Sequence, residues 1–453
     1  MKVLLLAPPG DKIYLRDSYC STTSKGDYYW PPSDLLIQSG ILKEKFKVYV
    51  LDAIAEKLSF EKSFTKINNI KPDAIISLGS SISLKTDMPF LKKVKEAISC
   101  KIIMSGDIFF FEPKEMMQRF DFVDALMLNY RTNDIIKFLN KDYGYLKNFY
   151  YRKNNKTIIT EKIYPQNYKY PPPLLDLFPH KYTHPFMRRK PLASISTSFG
   201  CPFKCNFCSQ ALIPYSYRDL DNIIEELKYL KSKGIKELFI IDFTFNGNLE
   251  RTKKLLKMMI NERLDFTWSC EMVVNNVDEE LIRLLKKAGC HTIMFGVESG
   301  NDEILKNVKR TTKKKIKQAL DICNRFKIRT LAHFIIGFPQ DTLETVKETI
   351  SFSRKIKCTF AVFNLYVPRI GSFARKNIMG EGLNDDLSKL DSSGSCIQSY
   401  SNINKDLLIK LRNRAYLKFY LNPMKILNII SSIKTSTEFI LFFRNFLKVI
   451  TKY

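Results

Sequence analysis

Ser198-Phe199-Gly200-Cys201-Pro202-Phe203-Lys204-Cys205-Asn206-Phe207-Cys208 sets three cysteines at C-x3-C-x2-C spacing directly after a short apolar run at 192–197. Three thiolates on one compact loop can hold three irons of a cubane, whereas four are needed to saturate it. The next cysteine in the chain is Cys270, far from the trio. The spacing therefore predicts a [4Fe–4S] cluster on Cys201, Cys205 and Cys208 with one iron open, and an open metal position usually means chemistry. Phe199, Phe203 and Phe207 would shield the cluster, and Gly200 would let the backbone turn tightly into the loop. A zinc site competes, but it would want a fourth protein ligand at finger spacing, and none of the four histidines stands close in sequence. Three inert buried thiols is the other alternative.

Downstream of the trio the chain alternates. Short apolar runs at 192–197, 237–242, 266–270, 292–296, 329–336 and 361–366 are separated by helical patterns at 219–231, 250–261, 278–288, 312–326 and 342–353. Six such units predict a curved parallel sheet of partial-barrel type. Chemistry on barrel-type sheets sits just past the strand ends, where small and polar residues recur here.

Upstream, apolar runs at 3–6, 48–51, 74–78, 101–104 and 122–127 alternate with helical patterns such as 34–45, which predicts an open parallel sheet. Ligands on such sheets lie outside the carboxyl ends of the strands. Gly79, Ser80 and Ser81 stand at one of these ends, and Ser105 and Gly106 at another. The fold class is thus α/β. A Rossmann-like domain spans 1–150, a Lys-, Tyr- and Pro-rich linker 151–190, and a partial (β/α)6 barrel 191–375. A basic helical region covers 376–453.

The cysteine spacing, placed after the first strand of a six-fold repeat, resembles the signature of the radical S-adenosylmethionine (SAM) superfamily. That resemblance implies that SAM chelates the open iron and that one-electron reduction yields a 5′-deoxyadenosyl radical, with the electron from an external flavodoxin- or ferredoxin-type reductant. Asp242-Phe243-Thr244-Phe245 resembles a family segment that usually carries a second acid where Phe243 stands. Trp268-Ser269-Cys270-Glu271 falls where the third strand tip approaches SAM. Gly296-Val297-Glu298-Ser299-Gly300 is close to the family consensus, which implies that Glu298 and Ser299 contact SAM. Phe334-Ile335-Ile336-Gly337-Phe338-Pro339 resembles the segment along the adenine. Phe207, Gly337 and His333 complete the implied SAM contacts; His333 either faces the barrel interior or is a core imidazole.

The resemblance extends to the subgroup with an N-terminal cobalamin-binding domain, which includes the anaerobic Mg-protoporphyrin ester cyclase and hopanoid methylases. Its opening is matched by Asp17-Ser18-Tyr19-Cys20, Tyr29-Trp30-Pro31-Pro32, Leu36 and Gly40, and its tail by Arg414-Ala415-Tyr416-Leu417-Lys418-Phe419-Tyr420-Leu421-Asn422-Pro423. It implies cobalamin against Gly79, Ser80, Ser81, Ser105 and Gly106. No histidine precedes His180, so cobalt would have no protein ligand of the Asp-x-His-x-x-Gly kind. Met127-Leu128-Asn129-Tyr130-Arg131-Thr132 replaces the subgroup's Gly-Glu-Gly-Glu. The implied activity is methyl transfer to an unactivated carbon; a cobalamin-dependent cyclisation or oxidation is the alternative.

The chain carries 73 Lys plus Arg against 46 Asp plus Glu, a formal charge of +27. Such a field attracts phosphates, nucleic acid or an acidic bilayer, although a compositional bias toward Lys, Ile, Asn and Phe accounts for part of it. A basic nucleic-acid-binding protein with a structural metal is the non-enzymatic alternative; no aromatic-interleaved basic patch outside the tail supports it. Residues 411–453 hold eight Lys or Arg against one Glu, interleaved with Ile, Leu and Phe. With 33 Phe and 22 Tyr in the chain, this tail points to a small-molecule or lipid-like substrate and to peripheral membrane contact. The opening MKVLLLAPPG reads as a buried strand, no run reaches the roughly 20 apolar residues of a span, and a cytoplasmic location with reduced thiols is expected.

Overall fold

The computed structural model describes residues 1–17, 21–154, 156–379, 386–387, 390–391 and 399–452. Ser18, Tyr19 and Cys20 of the opening motif lie outside these residues, as does most of the polar stretch at 384–402.

Seven strands form the N-terminal sheet: β1 Lys2–Ala7, β2 Lys47–Asp52, β3 Ala74–Leu78, β4 Lys101–Ser105, β5 Ala125–Met127, β6 Phe149–Lys153 and β7 Lys156–Ile159. Their order is β2-β1-β3-β4-β5-β6-β7, parallel through β5 and antiparallel beyond it. The strand order reverses between β1 and β3, and in open α/β sheets that is where a crevice forms. Helices α1 Ser33–Leu42, α2 Phe60–Ile70 and α3 Leu84–Ala97 cover the sheet. The last two strands take in residues that the sequence reading divides between the first unit and the linker. They are Tyr- and Lys-rich hairpin strands on a sheet edge, and their alternation is weak. The linker then packs down: Pro171 and Pro172 cross α1 at Gly40, where a Cβ would sit 2.5 Å from the Pro171 carbonyl oxygen.

The expected partial barrel is present as six parallel strands in sequential order: β8 Leu192–Ile195, β9 Glu237–Ile240, β10 Thr267–Met272, β11 Cys290–Glu298, β12 Arg329–Ile336 and β13 Phe360–Leu365. Helices α4 Leu220–Ser232, α5 Leu249–Asn261, α6 Glu279–Lys287, α7 Asp302–Val308, α8 Lys313–Arg325 and α9 Leu343–Lys355 follow the strands. Asp219, Asn248, Asp278, Asn301, Thr312 and Thr342 cap them through their side chains, satisfying N–H groups that a helix start leaves open.

Among the described residues from 399 onward the C-terminal region forms α10 Lys405–Tyr420, α11 Pro423–Ser432 and α12 Ser436–Lys452. β13 is the edge of the barrel sheet, and α10 covers it. The Tyr416 hydroxyl donates to the Phe363 carbonyl (3.2 Å) and accepts from the Phe363 amide (3.1 Å). Tyr420, one turn on, does the same at Ala361 (2.9 and 3.3 Å). Two hydroxyls thus complete the ladder where a seventh strand would pair. One apolar core runs from the inner face of the N-terminal sheet through the barrel to α10, and a second lies on the outer face of that sheet.

Candidate functional site

The cysteine loop leaves β8 and is fastened at both ends. Asp242, just past β9, accepts from the Thr197 amide (2.6 Å), the Thr197 hydroxyl (2.5 Å) and the Ser198 hydroxyl (2.7 Å). Burial pushes its pKa up, opposed by these same hydrogen bonds. Ser198–Phe199 pairs antiparallel with Ser216–Arg218, closing the loop. Gly200 adopts φ +70°, and a Cβ there would sit 2.5 Å from the Pro214 carbonyl oxygen, so the position requires glycine. Lys204 donates to the Ala211 carbonyl (2.7 Å), and the Asn206 amide reaches Val308 at the end of α7 (3.4 Å).

Cys201, Cys205 and Cys208 are not in disulfides and open into one cavity of about 530 Å³ at the carboxyl ends of the barrel strands. Among the described residues, no three His, Cys, Asp or Glu side chains converge on one ion-sized point. A cubane does not ask for that, because each thiolate binds a different iron. Burial pushes the Cys205 thiol up to about 11, which makes it a poor nucleophile unaided. Cys201 Sγ lies 3.4 Å from the Thr244 hydroxyl. Phe207 lines the cavity and meets Phe338 edge-on at 5.6 Å. Cys270 is fully buried in β10, outside the cavity wall. The donor set therefore fits three corners of a cubane.

Opposite the loop, β11 ends in strain. Its register against β12 shifts between Gly296 and Glu298, and Glu298 takes φ +67°, a region that non-glycine residues occupy only when the surroundings impose it. The twist turns its carboxylate onto Lys309, 2.7 Å from Oε1, and Lys309 also donates to the Gly296 carbonyl (2.7 Å). Burial alone would discharge this lysine; the charges of Glu298, Cys205 and Cys208 outweigh it and hold its pKa above the ordinary value. His333 lines the same cavity. Burial first, then the charges of Lys25 and Lys309, lower its pKa to about 3. It is a neutral imidazole whose Nε2 has no partner, so it is not a satisfied core histidine. Glu271, at the tip of β10, also faces the cavity.

Ser299 and Gly337 stand back from the wall. The Ser299 hydroxyl accepts from the Asn301 amide (3.1 Å) and pairs with Thr349 (3.2 Å), and the Gly337 amide donates to Asp341 (2.8 Å). Both shape the strand ends behind the cavity. For SAM the wall offers a carboxylate, an ammonium and an unpartnered imidazole, a set suited to a zwitterion with a ribose.

The N-terminal domain contributes Arg16, Asp17, Lys25 and Trp30 to the cavity. Gly79, Ser80, Ser81, Ser105 and Gly106 do not reach it. A Cβ at Gly106 would collide with the Gly79 carbonyl, and one at Gly79 would sit 2.7 Å from the Phe109 ring. Ser81 donates to Asp107 (2.7 Å from its amide, 2.9 Å from its hydroxyl), and Ser80 pairs with Ser83 (2.7 Å). The small size of these residues is used in packing the domain against itself. The crevice beside β1 and β3 is filled by Arg16, whose guanidinium bonds Asp87 at 2.6 Å, leaving only about 30 Å³, room for a water. None of the five lines either cavity.

Sequence reasoning missed Lys309, Arg16 and Lys25, and it quoted Thr244 within a motif without giving it a role. Lys309 and Thr244 had a signal in their position, one just past a helix end and one just past a strand end; Arg16 had none.

Residues 195–353 match the model of the radical SAM superfamily. The chain is 29% identical over 444 residues to an uncharacterised methyltransferase of Pyrococcus horikoshii, covering 93% of each. It is 25% identical over 385 residues to the anaerobic magnesium-protoporphyrin IX monomethyl ester cyclase of Rubrivivax gelatinosus, covering 79% of this chain and 68% of the cyclase. Among solved structures, the cobalamin-dependent S-adenosylmethionine radical enzyme OxsB with aqua-cobalamin bound superposes with a TM-score of 0.67 at 15% identity, over 99% of this chain and 72% of that one. Residues 195–353 thus match a radical SAM domain, and the N-terminal sheet, six-stranded barrel and helical tail around it have the fold of OxsB.

Proposed function

We propose that the protein transfers a methyl group to an unactivated carbon, as a radical SAM enzyme of the cobalamin-dependent class. The carrying observation is that Cys201, Cys205 and Cys208, the buried Glu298–Lys309 pair and His333, whose Nε2 has no partner, all open on one cavity. The full-length likeness to a protein named as a methyltransferase supports the choice of reaction. In this reading Cys201, Cys205 and Cys208 hold a [4Fe–4S] cluster, and Glu298 and His333 bind SAM. When bound, cluster and SAM supply a 5′-deoxyadenosyl radical that removes hydrogen from the substrate, with the electron from an external reductant.

The chain's own residues do the positioning. Asp242 fixes the start of the loop, so the thiolates are preorganised. Lys309 keeps a positive charge beside Cys205 and Cys208, which offsets the negative charge of the thiolates. Glu298 accepts from an ammonium, and the neutral His333 offers one nitrogen to a hydroxyl or ring nitrogen. Phe203, Phe207, Phe239 and Phe243 line the wall and exclude water from a radical path. Cobalamin, supported by the shared architecture alone, would supply the carrier that takes the methyl group from a second SAM to the substrate carbon.

Anaerobic purification followed by turnover with methyl-labelled SAM tests the reading. It expects about four irons per chain, deoxyadenosine on adding reductant, and S-adenosylhomocysteine together with a labelled product. The likeness to a ring-closing enzyme favours one second reading: deoxyadenosine with no labelled carbon in the product would mean cyclisation or oxidation and would overturn methyl transfer.

A further inference from the structure

The C-terminal helices have their polarity reversed. In α11 the charged side chain points inward: Lys425 is buried and donates to the Ile356 carbonyl at 2.6 Å and the Cys358 carbonyl at 3.1 Å. Ile429, one turn on, is buried with it. Met424, Leu427 and Ile430 are left outward, exposed by 73, 61 and 60%. In α12 the buried Glu438 is held by Arg188 (2.8 Å) and Arg329 (2.6 Å), while Leu441 packs inward. Phe439, Ile440 and Phe443 are all at least half exposed, and the Phe439 and Phe443 rings lie 5.5 Å apart. A helix that spends its charges on the interior and its Leu, Ile and Phe on the outside is built to be covered.

Basic residues frame this apolar face. Arg414, Leu417, Lys418 and Leu421 fall at i, i+3, i+4 and i+7 of one stripe along α10, and all four are exposed. From 405 to the end the chain carries 10 Lys or Arg against 2 Asp or Glu, and both buried acids and bases of α11 and α12 are already partnered within the protein. The face is also continuous with the cavity: Leu417 and Leu421 are at once exposed and part of the cavity wall, and Phe442 and Asn445 of α12 line its other side.

We propose that α10, α11 and α12 dock the protein on an anionic bilayer surface, with the cavity mouth opening toward the acyl chains. Charge complementarity and the continuity of apolar face and cavity select this occupant: basic side chains at headgroup level, Leu, Ile and Phe below it. No helix among the described residues is long and apolar enough to cross a membrane, so the contact is peripheral. Resting on the proposed reaction, the same geometry makes the substrate a membrane-dissolved molecule with an apolar body, delivered past Leu417 and Leu421.

Flotation of the full chain, purified anaerobically, on vesicles of phosphatidylcholine alone or mixed with phosphatidylglycerol tests the docking without any turnover. Binding is expected on the anionic vesicles, weakened at least tenfold by high salt, by the double substitution Leu427→Glu/Ile430→Glu, or by Arg414→Glu/Lys418→Glu. Circular dichroism and iron content of the variants separate lost docking from lost folding. Equal flotation of wild type and variants, or no flotation on either vesicle, would overturn the proposal. So would a dimer in light scattering that Leu427→Glu/Ile430→Glu dissociates, because the face would then belong to a second copy. Vesicle binding that persists when methyl transfer fails would leave the docking standing and remove only the substrate assignment.

Discussion

Lys309 Nζ sits 2.7 Å from Glu298 Oε1, with the two side chains exposed by only 9 and 7%. The pair spans α7, from the last residue of β11 to the residue just past the helix, and it holds a residue in a left-handed conformation at the cavity wall.

Lys309→Met leaves the Glu298 carboxylate buried without its cation, at a cost of about 3–5 kcal/mol. We expect a lower denaturation midpoint and SAM affinity reduced more than tenfold by equilibrium dialysis. Glu298→Gln keeps the shape but leaves Lys309 buried without its carboxylate, so it should lower the midpoint as well and lose SAM affinity. Unchanged SAM affinity in both variants would make the pair a packing element and not a SAM contact.

Arg16 and Asp87 form a second buried pair, with side chains exposed by 3 and 0%. The guanidinium Nε also reaches the Ser83 hydroxyl at 3.3 Å. This joins the segment after β1 to the start of α3 and plugs the crevice of the N-terminal sheet. Arg16→Met should cost about 3–5 kcal/mol in urea unfolding. Asp87→Asn should cost less, because burial already raises the Asp87 pKa against the pull of Arg16 and an amide can still accept from the guanidinium.

These pairs mark where reading the sequence stops. The strand ends at Leu78 and Ile336 and the turn at Gly200 were legible, because apolar runs and a glycine at positive φ leave a local trace. Arg16 and Asp87 are 71 residues apart, and nothing local in either announces the other. At Gly79 and Gly106 the same signal has a source within the fold. Small residues at a sheet crest suit an approaching ligand, but here each makes room for the other strand's own atoms. The reversed polarity of α11 was visible as a basic amphipathic pattern, but only the bonds of Lys425 reveal which side faces in.

Tyr416 and Tyr420 replace a seventh strand with two hydroxyls. Removing one hydroxyl as Tyr416→Phe leaves a backbone N–H and C=O of Phe363 unpaired at a buried edge, for about 1–3 kcal/mol. The double variant Tyr416→Phe/Tyr420→Phe should lose about the sum, and hydrogen exchange at the Ala361 and Phe363 amides should speed up while β10 stays protected. Unchanged exchange at those two amides would mean that water substitutes for the hydroxyls at no cost.

Glu271 gives the protein a pH dependence with a definite sign. Burial, reinforced by Asp17 and Glu298 and opposed by Lys309, raises its pKa from 4.5 to about 7. The folded state therefore holds a proton that the unfolded state has released between these values, and stability falls as pH rises from about 4.5 to about 7. A gap of roughly 2.5 pH units at about 1.4 kcal/mol each sets the decline at about 3.5 kcal/mol at most, less in practice because the carboxyl faces a cavity that water enters. Glu237 rises to about 7 as well, so the wild-type profile contains both groups. The difference between wild type and Glu271→Gln isolates one. Chemical denaturation at pH 5 and pH 8 should show the wild type losing more stability than the variant across that interval. A variant with the same slope would mean that Glu271 is ionised throughout and already paired by a cation across the cavity.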